Sequence, residues 1–230
     1  MMRDHDAGIF TYSDMVCTVW ALMVAASDTT SETTILIWLN MARFPEWQQK
    51  IYDEASSALF TAERLEDVPL VAAFILETVR YCPCQHRNLF HTTTVPVEVD
   101  GYKFNPGSIF SFSIASFMMD QKLFPEPFTF NPLRFIDENG KLKRNKNWMG
   151  FGYGRRSCPG KALAEQQLLQ YTLAFLCHCE AMSDPNCPLP TPNTETEWLE
   201  MFDQHLPVHG GSVMMPLLNR IMRVKRRVPM

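Results

Sequence analysis

Cys158 stands in the run Phe151-Gly152-Tyr153-Gly154-Arg155-Arg156-Ser157-Cys158-Pro159-Gly160, just ahead of a segment that reads as a helix from Lys161 to about Glu180. A free thiol has a pKa of about 8.5, and amide groups at a helix N-terminus or a coordinated metal lower it, so this cysteine is placed to serve as a thiolate ligand. A second group is Glu77-Thr78-Val79-Arg80, an acid three residues before a base on a predicted helix, which by itself describes an ordinary i,i+3 pair. A third is Ala25-Ala26-Ser27-Asp28-Thr29-Thr30, a polar interruption inside an otherwise apolar helix. That placement is locally unfavourable and suggests a purpose, beside the plainer reading of a polar helix face. Cys82-Pro83-Cys84 and Cys177-His178-Cys179 lack the two-residue gap of a zinc knuckle and read as plain thiols.

These groups need a scaffold, and the chain predicts a mainly α one. Residues 11–44 read as one long helix, free of Gly and Pro inside, with Ser13 or Asp14 as its cap and Pro45 at its end. Its length suggests a buried central strut. Further helices are predicted over 45–59 and 70–81, the latter stopped before Pro83. Alternating residues around Val95-Pro96-Val97-Glu98-Val99 and Ser108-Ile109-Phe110-Ser111-Phe112, broken by Asp100-Gly101 and Asn105-Pro106-Gly107, predict a β hairpin over about 94–114. Prolines at 125, 127 and 132 make 124–135 an irregular meander whose aromatics still want burial. The helix over 161–180 has a wide apolar surface and should be buried; loops with a β-like ending near Ile221 to Val224 fill 183–230. The expected class is mainly α with a small segregated β-sheet, one partial domain spanning 1–230.

With 230 residues and 46% hydrophobic content, the chain can bury a substantial core. A net charge of −4 argues against a general nucleic-acid binder. Seven cysteines, an odd number with no secretory signal, point to reduced thiols. The longest apolar run, Met15 to Ala26, is shorter than the roughly 20 residues that span a bilayer, so no transmembrane segment is predicted.

Phe151, Gly154, Arg156, Cys158 and Gly160 make up F-x-x-G-x-R-x-C-x-G, and this segment resembles the haem-ligand loop of the cytochrome P-450 family. Five fixed positions coincide by accident on the order of once in 10⁷ starting points, too rarely for a chain of this size. The resemblance implies the C-terminal haem-binding half of the cytochrome P-450 fold. It makes Cys158 the axial ligand to the iron of haem b (iron protoporphyrin IX), with Gly154 and Gly160 letting backbone approach the macrocycle. Arg156 fills the position that pairs with a haem propionate, and His91, in Leu89-Phe90-His91-Thr92, resembles a second propionate contact. Glu77 and Arg80 match the family's E-x-x-R, and Asn131-Pro132-Leu133-Arg134-Phe135 resembles P-x-R-F, whose Arg134 would complete a buried structural triad. Residues 25–30 resemble the oxygen-activation groove, with Thr29 as its hydroxyl, Asp28 as the acid of the relay, and Ala26 where a glycine is usual.

The implied activity is a haem-thiolate monooxygenase that inserts one atom of O2 into a lipophilic substrate. Leu89, Phe90, Ala25, Val213 and Met214 are the expected apolar substrate contacts. Phe124-Pro125-Glu126-Pro127 and the Gly101-Tyr102 hairpin look most like the microsomal members. These imply an NADPH-dependent flavoprotein reductase as partner and, for the full-length protein, the cytosolic face of the endoplasmic reticulum membrane. Arg155, Arg156, Lys161 and the Lys141 to Lys146 cluster would offer the basic face for an acidic flavin domain. Two other readings stand beside this one: a truncated, inactive fragment that binds haem weakly or only a protein partner, and a haem-thiolate isomerase or dehydratase that needs no reductase.

Overall fold

A computed structural model describes residues 8–58, 61–186, 189, 191–192, 194–198 and 222–227. The first helix, α1, runs Tyr12–Arg43. Its cap is Thr11 rather than Ser13 or Asp14: Thr11 Oγ1 accepts from the Asp14 N–H, and the Asp14 carboxylate accepts from the Thr11 N–H, a reciprocal box. The buried residues of α1 all lie between Thr30 and Arg43. The half that precedes them stands clear of the body, so the expectation of a buried strut holds for only part of α1. The fully enclosed helix is instead α3, Pro69–Tyr81, buried at every position from Val71 onward. Between them lies α2, Pro45–Ala58. Pro69 occupies the first turn of α3, and the Glu54 carboxylate of α2 accepts from the free N–H groups of Leu70 and Val71 at 3.1 and 2.7 Å.

The single hairpin expected over 94–114 is two nested antiparallel ladders. The outer pairs β1 (His91–Thr92) with β4 (Ile109–Phe110); the inner pairs β2 (Val97–Val99) with β3 (Tyr102–Phe104). Asp100 and Gly101 both take positive φ, 48° and 82°, the left-handed turn that matches the twist of the inner strands. After β4 comes a short helix that local pattern does not predict, α4 (Ile114–Met118), capped by the Ser113 hydroxyl. The meander ends in a 3-10 turn at Pro132–Phe135. Helix α5, Lys161–His178, stops before Glu180 because Cys179–Ser183 is a strand, β5, paired antiparallel with β6 (Met222–Arg226). Gln48 fixes this change: its side-chain amide both donates to the Ala181 carbonyl, at 2.9 Å, and accepts from the Ala181 N–H, at 2.8 Å. Cys187, Val213, Met214 and Ile221 lie outside the described residues.

The main core joins the second half of α1 to α2, α3 and α5, with Trp38 stacked on Phe175 and Phe44 on Phe130. A smaller cluster of Ala73, Leu76, Ile114, Met118, Phe124 and Phe135 packs with Trp148 and Met149. That cluster seats the cysteine loop. The class is mainly α with small separate sheets, as expected, and no described helix is long and apolar enough to cross a membrane.

Candidate functional site

The cysteine loop is folded by its glycines and closed by its own backbone. Gly152 and Gly154 adopt φ of 71° and 69°, values at which a side chain is strained. A 3-10 turn over Gly154–Arg156 follows, and the Cys158 N–H donates to the Phe151 carbonyl at 2.8 Å. Gly160 opens α5 with an ordinary φ of −87°, and a Cβ there would meet Cys158 Sγ at 3.8 Å, a normal contact. The positive φ values thus make glycine necessary at Gly154, while at Gly160 neither backbone nor space demands it. Cys158 is a free thiol, exposed at the mouth of α5.

Two residues outside the sequence motifs anchor this loop. Trp148 donates its indole N–H to the Leu76 carbonyl of α3 at 3.0 Å and meets Phe151 edge-on at 5.7 Å. Gly150 threads the gap that results: a Cβ there would lie 2.5 Å from Trp148 and 2.6 Å from Val79. A tryptophan inside a polar, basic loop was the available signal, since its large apolar surface seeks burial.

Glu77, Arg80 and Arg134 come together one helical step from Leu76. Arg80 grips both Glu77 oxygens, at 2.7 and 2.9 Å, with both side chains 0% exposed. Arg134 Nε donates to Glu77 at 3.2 Å, as does the Asn131 N–H at 2.8 Å. Arg134 spends its other donors on the carbonyls of Pro125, Glu126 and Thr129, which pins the meander. Burial pulls the Arg134 guanidinium below its ordinary value, with Glu77 opposing.

An open cleft of about 500 Å³ lies beside the cysteine loop, lined by Asn88, His91, Arg155 and Arg156 with Phe110, Phe112 and Tyr153. Ser111 completes the lining. Asp28 and Thr29 are not among these residues. They sit side by side on α1, Asp28 exposed, with the Thr29 hydroxyl donating to the Ala25 carbonyl at 2.8 Å. Leu89, Phe90 and Ala25 are exposed near these elements. Of the basic cluster, Arg144 is already engaged, gripping Glu165 of α5 through two bonds and reaching Glu66.

The donor set fits a flat apolar ligand that carries acidic groups: an exposed thiol, aromatic walls, and the hydrogen-bond donors of Arg155, Arg156 and His91. No three His, Cys, Asp or Glu side chains gather as a metal site among the described residues. A metal ligated by Cys158 would bring its other ligands with it, as iron in a porphyrin does.

The family model described as Cytochrome P450 matches residues 1–202. Among curated proteins the chain is 32% identical to Cytochrome P450 2M1 of Oncorhynchus mykiss over 76% of its own length and 36% of that protein. It is 30% identical to Cytochrome P450 2C3 of Oryctolagus cuniculus, over 80% and 39% respectively. For Cytochrome P450 18a1 of Drosophila melanogaster the identity is 34%, over 69% and 31%. The chain therefore spans well under half the length of these relatives.

Proposed function

The chain belongs to the cytochrome P450 family, and from that premise we propose that it is the haem-thiolate portion of a monooxygenase acting on lipophilic substrates. The observation that carries the proposal is the cysteine loop itself: a free, exposed thiol at a helix start, on a glycine-shaped turn, beside a cleft with aromatic and cationic lining. Cys158 would hold the iron of haem b, with Phe151 and Gly154 shaping the loop, Gly160 leaving room beside the Cys158 sulfur, and Arg156 and His91 taking the propionates. When bound, haem supplies the oxygen-activating redox chemistry, to which an axial thiolate adds electron density.

The chain's own residues then position, exclude and move protons. Cys158 stands exposed just before α5, where its sulfur is open to a ligand. Thr29 donates its own proton to Ala25, which leaves the lone pairs of Oγ1 as acceptors. Asp28 adjoins Thr29 in the chain, and by resemblance to the family's oxygen-activation groove the two would relay a proton. Leu89 and Phe90 offer apolar surface for a lipophilic substrate.

Electrons would come from an NADPH-dependent flavoprotein reductase with an acidic face. Lys141, Lys143, Lys146, Arg155 and Lys161 are exposed for it, whereas Arg144 is committed to Glu165 and Glu66. The full-length protein would work at the cytosolic face of the endoplasmic reticulum, in keeping with the microsomal character of its relatives. The test is the reduced carbon monoxide difference spectrum of the 230-residue chain supplied with haem, beside Cys158→Ala. A strongly red-shifted Soret band that disappears in the variant is the expected result; a band indifferent to Cys158 would overturn the proposal.

A further inference from the structure

Two side chains that line the cleft, Asn88 and His91, are joined by a hydrogen bond. Nδ2 of Asn88 lies 2.9 Å from Nε2 of His91. An amide NH2 can only donate, so Nε2 is the acceptor and the proton of the neutral ring sits on Nδ1. The backbone of Asn88 is firmly held, since its N–H donates to the Phe112 carbonyl at 2.9 Å and its own carbonyl accepts from the Ser111 hydroxyl at 2.8 Å. The backbone bridge between Arg87 and Ser113 clamps it from the other side. His91 in turn is fixed in β1, opposite Phe110. Both side chains line the cleft with Arg155 and Arg156.

We propose that Asn88 is a positioning residue that holds His91 in the Nδ1–H tautomer, so that the ring meets a carboxylate in the cleft as a neutral hydrogen-bond donor. The opposite tautomer would oblige the Asn88 amide to turn over and offer Oδ1 to Nε2, and would leave Nδ1 a lone pair, which repels a carboxylate. Donation is thereby secured without charging the ring, while the two arginines supply the positive charge. The identity of the carboxylates as haem propionates rests on the function proposed above; the tautomer does not.

The two parts separate experimentally. In the haem-free chain labelled with ¹⁵N-histidine, NMR reports the tautomer of His91, whose signals are identified by their loss in His91→Gln. The expected result is Nδ1–H in the native chain and a shift toward Nε2–H in Asn88→Leu; a native ring protonated on Nε2 overturns the inference. Titration with haem and with haem dimethyl ester, which lacks free carboxylates, then tests the consequence. Asn88→Leu should weaken haem binding roughly ten-fold, the loss of one charge-assisted hydrogen bond, and leave the ester unchanged. Equal weakening of both would reduce Asn88 to a fold-keeping role and refute the proposal. A native chain that binds neither compound would sink the haem reading, and the tautomer spectra would then decide the role of Asn88 by themselves.

Discussion

Glu77 is the acceptor on which α3 and the meander converge, and it is wholly buried. Two arginines and a backbone N–H point at its oxygens. Glu77→Gln leaves Arg80 as a buried cation without a counter-charge, which costs about 3–5 kcal/mol. Arg144→Ala breaks pairs whose side chains are partly exposed and should cost less than about 1 kcal/mol. Urea unfolding of both variants checks the contrast, and equal midpoints would contradict it. His86 adds a pH dependence. Burial, aided by Arg87, depresses its value from 6.5 to about 4. Between those values the unfolded chain binds more protons than the folded one, so this contribution is intact above 6.5 and is lost as pH falls toward 4. The loss amounts to roughly 3 kcal/mol, and in His86→Gln the stability profile over that window should flatten.

At the scale of elements, the loop before Cys158 is held by a close fit rather than by charge. Trp148 is hydrogen-bonded to α3, and Gly150 passes between it and Val79 where no Cβ fits. One obstacle is the Trp148 ring bonded to α3 and the other a branched side chain of α3 itself, so they have little freedom to yield. Gly150→Ala should therefore destabilise the chain by about 1–3 kcal/mol, seen as a lower thermal midpoint. An unchanged midpoint would show that the tryptophan can swing aside. None of this was readable from local spacing, because Trp148 and Leu76 meet across 72 residues. The end of α5 has the same origin: its apolar pattern continues past His178, but Gln48, 133 residues away, claims the backbone of Ala181 for a strand.

Across the whole molecule, one helix belongs to two environments. The second half of α1 is core, while Tyr12, Val16, Trp20 and Met23 of the first half are exposed, Trp20 by 67%. A helix apolar on all sides is ordinarily enclosed, so this segment should make the chain adhesive. Replacing Val16, Trp20 and Met23 together by Gln should lower fluorescence of a hydrophobic dye and reduce self-association, with little change in the urea midpoint. A large fall in midpoint would mean that these side chains support the fold. What the sequence by itself determined was the succession of the long helices, the glycine-shaped cysteine loop, and the residue types of the acid-base groups, since these follow from patterns a few residues long. Only the tertiary structure decided which helix is enclosed, that one hairpin becomes two nested ladders, where α5 ends, and that Trp148, Gly150 and Asn88 attend the site. Each of these depends on a surface covered or a donor satisfied by a residue distant in the chain, and local periodicity carries no record of that partner.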